Sequence, residues 1–127
     1  MNKNPVGWFE IPVENMDRAI KFYESIFEIK LSRNKLGSLD MAWFPMKEKA
    51  EGAAGSLVAS KPHYKPSSTE GVLIYFTTPS GDLDLDLKNV EKAGGKILRT
   101  KTQIGEYGFM ALFIDSEGNR IALHSRK

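Results

Sequence analysis

Two histidines and no cysteine set narrow limits on the side-chain chemistry open to this 127-residue chain. Without thiols there is no disulfide framework, no thiolate nucleophile and no thiolate metal ligand. His124 stands in an apolar run near the end of the chain, and Glu10 stands in another near its start. A carboxylate close to an imidazole orients the ring and sets up general acid–base work near neutral pH. Glu10 and His124 are therefore the candidate catalytic residues. His63 lies beside Tyr64 between two prolines, where a surface role is expected rather than ligation. Asp82, Asp84 and Asp86 invite a calcium reading, but a calcium loop of that type needs glycine at its sixth position and glutamate at its twelfth. Those places hold Leu87 and Ala93, and acids at the start of a helix explain the cluster better. No glycine-rich phosphate loop, nucleophile elbow or Ser-His-Asp order is found.

The composition frames these residues. The chain is 41% hydrophobic and 27% charged, as in a soluble globular protein. Its size predicts a single domain, 1–127, with a real core. No apolar run approaches the ~20 residues needed to span a bilayer, and Met-Asn-Lys-Asn-Pro is not a secretory signal, so a cytoplasmic protein with no membrane partner is expected. The net charge of +2 comes from scattered lysines and arginines. Nucleic-acid binders gather such charge into a patch, so no nucleic-acid partner is expected.

The elements that must position Glu10 and His124 are legible in part. Gly7–Val13 alternates, with Trp8, Glu10 and Pro12 on one face and Phe9, Ile11 and Val13 on the other, which is a strand with one face in a core. Asn15 is a plausible helix cap, and Met16, Ala19, Ile20, Tyr23 and Phe27 fall on one helical stripe, with the end expected near Glu28. Leu39–Met46 and Ser56–Ser60 read as strands. Lys61–Gly71, with Pro62, Pro66 and Gly71, has the composition of a linker. A second unit follows at about 72–125: a strand at Val72–Thr77, a helix from about Asp82 to Ala93 closed by Gly94-Gly95, and strands at Ile97–Thr102, Phe109–Ile114 and Arg120–Ser125. Asp115-Ser116-Glu117-Gly118 is a turn. Met110-Ala111-Leu112-Phe113 echoes Met41-Ala42-Trp43-Phe44. The order βαβββ is thus written twice, at about 6–60 and 72–125.

This duplication, Phe22-Tyr23 in the first helix, and the closing Asp115-Ser116-Glu117-Gly118-Asn119-Arg120-Ile121-Ala122-Leu123-His124 resemble the vicinal oxygen chelate superfamily of glyoxalase I, bleomycin-resistance proteins and extradiol dioxygenases. Trp8-Phe9-Glu10-Ile11-Pro12-Val13, Ala93-Gly94-Gly95-Lys96-Ile97 and Gly118-Asn119-Arg120 are most similar to predicted enzymes related to lactoylglutathione lyase. The resemblance implies an α+β fold whose two βαβββ modules form one open, cup-shaped sheet. It also implies a divalent metal in the cup, with ligand positions falling on Trp8, Val72 and Ala122 and on a fourth within 53–60. None of these side chains suits such a metal, so no metal and no cofactor are expected.

Both candidate catalytic residues are implied to line the cup, each one pleat, ~7 Å along its strand, from a family ligand position. Trp8, which replaces a ligand at the cup floor, offers a platform for a flat ligand. Trp43, Ile74, Phe76, Tyr107 and Ala122 complete the expected ligand-binding set, with 103–109 as a rim. The expected function is small-molecule binding, with three forms left open. The first is a metal-independent lyase or isomerase using Glu10 and His124. The second is a sequestering protein of the bleomycin-resistance type, and the third is the parent activity through other ligands. The resemblance also implies a homodimer.

Overall fold

The computed structural model describes residues 6–61 and 64–127. His63 therefore lies outside the described residues. The first strand, β1 (Trp8–Pro12), alternates as its sequence demands: Ile11 is buried, as is Val13 just beyond it, while Glu10 turns to the opposite face. The first helix, α1 (Met16–Phe27), is capped by Asn15, whose side chain accepts a hydrogen bond from the Arg18 N–H at 3.0 Å. Glu28 ends the helix in a left-handed conformation. The buried stripe includes Phe22, which the sequence stripe omitted, while Ile20 is only half-buried. Phe22 is buried because the second unit packs on that side of the helix, with its ring 5.9 Å from that of Phe113.

Strands β2 (Ser32–Leu36), β3 (Leu39–Trp43) and β4 (Ala54–Ala59) complete the first sheet in the order β1-β4-β3-β2. The second unit supplies β5 (Ile74–Thr77), α2 (Leu83–Leu87), β6 (Lys96–Gln103), β7 (Phe109–Ile114) and β8 (Arg120–Ser125), in the sheet order β5-β8-β7-β6. Each sheet has one parallel pair, β1 with β4 and β5 with β8, and is otherwise antiparallel. The fold is α+β, with two βαβββ units and two open sheets. No described helix is long and apolar enough to cross a membrane.

Several elements differ from the sequence reading: β3 ends at Trp43 rather than Met46, and β4 runs from Ala54 to Ala59 rather than from Ser56 to Ser60. β2 is a strand that sequence patterning did not mark, because Ser-Arg-Asn-Lys-Leu is largely exposed on both faces at a sheet edge. α2 stops at Leu87 rather than near Ala93. Beyond it the chain tightens, with the N–H groups of Asn89 and Val90 reaching back only three residues. β5 begins at Ile74, leaving Val72 outside the strand and 90% exposed.

One apolar cluster joins both units, from Ile11, Phe22 and Tyr23 to Leu83, Val90, Phe113 and Leu123. A polar clasp beside it ties α1 to the β7–β8 turn. The Tyr23 hydroxyl donates to Asp115 at 2.7 Å, and Asp115 also accepts from the N–H groups of Glu117 and Asn119 and from the Asn119 side chain. That same amide donates to the Pro12 carbonyl at 2.7 Å. Glu117 accepts from the N–H groups of Glu14 and Asn15 at 2.9 and 2.7 Å, at the start of α1, and from the Arg18 guanidinium at 2.6 Å. Burial pushes the Asp115 carboxyl up from its ordinary range and outweighs the donors around it. Burial would raise Glu117 as well, but Arg18 and the helix N–H groups hold it below its ordinary value.

Candidate functional site

The face of the first sheet turned away from α1 carries a row of three side chains. Glu10 on β1 stands opposite Ser56 on β4, and Ser56 stands opposite Trp43 on β3. Strand alternation brings all three to one face. Trp8 sits beside them, its ring edge-on to Trp43 with centroids 5.5 Å apart. The Glu10 carboxylate is held on both oxygens. It accepts from the Tyr64 hydroxyl at 2.6 Å and, more weakly, from the Trp8 indole N–H at 3.3 Å. The linker therefore reaches the sheet face, which its composition did not reveal. Hydrogen bonding to Glu10, helped by burial, holds the Tyr64 proton above the ordinary tyrosine range.

A groove of about 820 Å³ opens where β1 and β5 face each other. Its walls include Trp8, Glu10, Ile74, Tyr75 and Thr77, and its aromatic base is formed by Phe9, Phe27, Phe44 and Phe76. These rings are in contact: Phe76 lies 5.7 Å from Phe9, 5.1 Å from Phe27 and 5.4 Å from Phe44. The sequence-predicted residues divide between places. Trp8, Glu10, Ile74 and Phe76 line the groove. Trp43 stands behind Trp8. His124, on β8 opposite Thr77 and Met110, has its Nε2 2.6 Å from the Tyr107 carbonyl, at the exposed turn Gly105–Tyr107. Ala122 is fully buried between Tyr75 and Leu112. Among the described residues, Glu10 and His124 share no hydrogen bond. The polar partners of Glu10 are Tyr64 and Trp8, and that of His124 is Tyr107.

The two units correspond through equivalent main-chain bonds. The Val13 N–H donates to Val58 O at 2.9 Å, and the Thr78 N–H donates to His124 O at 3.1 Å. Counting back along each parallel ladder makes Glu10 and Tyr75 counterparts, and likewise Ser56 and Ala122. The counterpart of Trp8 is then Leu73, one residue past the position expected at Val72. Indole, isobutyl, hydroxyl and methyl groups at Trp8, Leu73, Ser56 and Ala122 do not fit the donor set of a divalent-metal site. Among the described residues no three His, Asp or Glu side chains gather to replace it.

Known proteins share this fold. Residues 6–123 match the model of the Glyoxalase/Bleomycin resistance protein/Dioxygenase superfamily. No curated protein matches the chain in sequence. Among solved structures, glyoxalase I from Zea mays is similar with a TM-score of 0.69 at 20% identity, over 96% of this chain and 46% of that one. The chain thus spans about half the length of the maize enzyme. A glyoxylase/bleomycin resistance protein/dioxygenase domain from a Frankia species has a TM-score of 0.73 at 16% identity, covering 98% of each chain. An antibiotic-binding protein from a Streptomyces species has a TM-score of 0.70 at 23% identity, covering 100% of this chain and 99% of that one.

Proposed function

We infer that this chain, which belongs to the Glyoxalase/Bleomycin resistance protein/Dioxygenase superfamily, binds an aromatic small molecule in the groove between β1 and β5 and sequesters it rather than transforming it. The observation that carries this reading is the groove itself: about 820 Å³, with four phenylalanine rings at its base and an indole on its wall. A space of that size suits a drug-sized ligand, and its lining rewards a flat apolar one. The absence of suitable ligands at the family's metal positions favours binding over the metal chemistry of glyoxalase I. The separate partners of Glu10 and His124 favour it over metal-independent acid–base chemistry, which needs the two groups to act on one substrate. The antibiotic-binding protein of similar fold from Streptomyces adds antibiotics to the classes to test.

Titration of a panel of flat aromatic compounds against the intrinsic fluorescence of Trp8 is the test. Saturable quenching is expected for some members, weakened at least tenfold in Phe76→Ala. Turnover of a bound compound that disappears in His124→Gln would transfer support to the lyase or isomerase reading. A panel that produces no saturable change would remove the binding reading.

A further inference from the structure

We propose that the row Glu10–Ser56–Trp43, which meets the groove at Glu10, where Tyr64 caps it, is a polar subsite that receives the amide-like end of a ligand whose apolar body lies in the groove. This rests on the groove-binding reading and adds the chemical class of the ligand. The three residues lie directly opposite one another on adjacent strands, so their Cα atoms step across the sheet at about 5 Å intervals. Ser56 is fully buried. Its Oγ and the Trp43 Nε1 are both buried with no hydrogen-bond partner among the described residues. Native proteins satisfy nearly all such groups, so two of them side by side on one sheet face call for an explanation. An indole N–H can only donate, and a serine hydroxyl can donate or accept. A carbonyl oxygen placed between them would satisfy both.

Glu10 completes the pattern at the other end of the row. An ionised carboxylate can only accept, and here it accepts from the Tyr64 hydroxyl at 2.6 Å. When Tyr64 swings away, the same oxygen is free to accept from a ligand N–H. The row then reads, from β1 to β3, acceptor, donor, donor. A primary amide, lactam or imide presents the complementary N–H and C=O groups within one small planar unit. A carboxylate ligand would be repelled by Glu10, and an ammonium group would leave Ser56 and Trp43 unsatisfied. Trp8, edge-on to Trp43, supplies the ring against which the rest of the ligand lies.

Four fragments with one ring in common separate the possibilities: benzamide, benzoate, benzylamine and toluene. The chain has only two tryptophans, so its two indole N–H signals can be followed by NMR and assigned with Trp8→Phe. Benzamide is expected to bind at least tenfold more tightly than toluene and to shift the Trp43 indole proton downfield. Ser56→Ala should reduce that preference several-fold, leave toluene unaffected and raise the thermal midpoint of the free protein, since it removes an unpaired buried oxygen. Tyr64→Phe should strengthen benzamide binding by unstoppering Glu10. Equal binding of benzamide and toluene, with the Trp43 signal unmoved, would overturn the subsite and leave the groove reading standing. Preference for benzoate or benzylamine would overturn the amide assignment. Failure of all four to bind would remove the groove reading and the subsite together.

Discussion

Glu117 has no exposed side-chain surface, yet it is an anion held by the start of α1 and by Arg18. Its carboxyl is held below the ordinary value, so the stability it contributes is fully present above about pH 4.5 and is lost as pH falls through its lower folded value. Asp115 has the opposite sign. Its raised value means that the folded state holds a proton more readily than the unfolded chain, so stability falls as pH rises through that window. Glu117→Gln isolates the first effect. Denaturant unfolding should show a loss of about 1–3 kcal/mol at pH 7 that shrinks toward pH 3. A loss that is the same at both values would mean that the charge is not what holds the clasp. This joint also explains what the residues revealed in sequence. Tyr23, Asp115 and Asn119 carried much of the resemblance, and all three belong to the clasp. Ser56 and Tyr64, the neighbours of Glu10, left no such signal. A serine on a central strand and a tyrosine in a linker have many ordinary explanations, and only the register and the fold of the linker bring them to Glu10.

At the scale of elements, strongly patterned segments were legible and weakly patterned ones were not. β7 and β8 have the bounds that their apolar runs predict. β2 was missed because an exposed edge strand needs no apolar face, and its place comes from pairing with β3. The end of the α2 segment shows what a motif can encode. Gly94 has φ 104°, with nothing near the position of a Cβ, whereas a Cβ on Gly95 would lie 2.5 Å from the Ile114 carbonyl oxygen and 2.7 Å from the Phe22 ring. One glycine is needed for conformation and the other for room. Gly94→Ala should therefore cost about 1–2 kcal/mol by backbone strain alone. Gly95→Ala should cost about 1–3 kcal/mol through overpacking. Thermal melts of both variants and of Gly95→Ala with Phe22→Leu check the distinction. Shortening the ring should recover part of the Gly95→Ala loss. No recovery would mean that the Ile114 carbonyl and the Val90 side chain, 2.9 Å from the same position, set the limit.

For the whole molecule, the four sheet edges are unequal. β2 carries Arg33 and Lys35, and β6 carries Lys96, Arg99 and Lys101 with two irregularities in its pairing to β7. Charge and bulges of this kind discourage further strand pairing. The edges that face the groove, β1 and β5, lack basic residues and stand among exposed apolar groups: Val6, Trp8, Val72 and Tyr75. Val72 at 90% and Tyr75 at 52% exposure are an unfavourable surface for an isolated chain. A second copy covering this rim would bury them symmetrically, and two-fold dimers are the commonest closed assembly. Light scattering at micromolar concentration should therefore give twice the 14.2 kDa chain mass. Val72→Glu and Tyr75→Glu should each shift the balance toward monomer, while Leu36→Glu on the charged edge should not. If the wild type has the monomer mass, the rim is left for the ligand alone. If Leu36→Glu is the variant that dissociates the dimer, the copies meet at the outer edges and the groove is open in both. A ligand that binds more weakly in Tyr75→Glu than in Val72→Glu, at equal monomer content, would place Tyr75 on the ligand as well as on the partner.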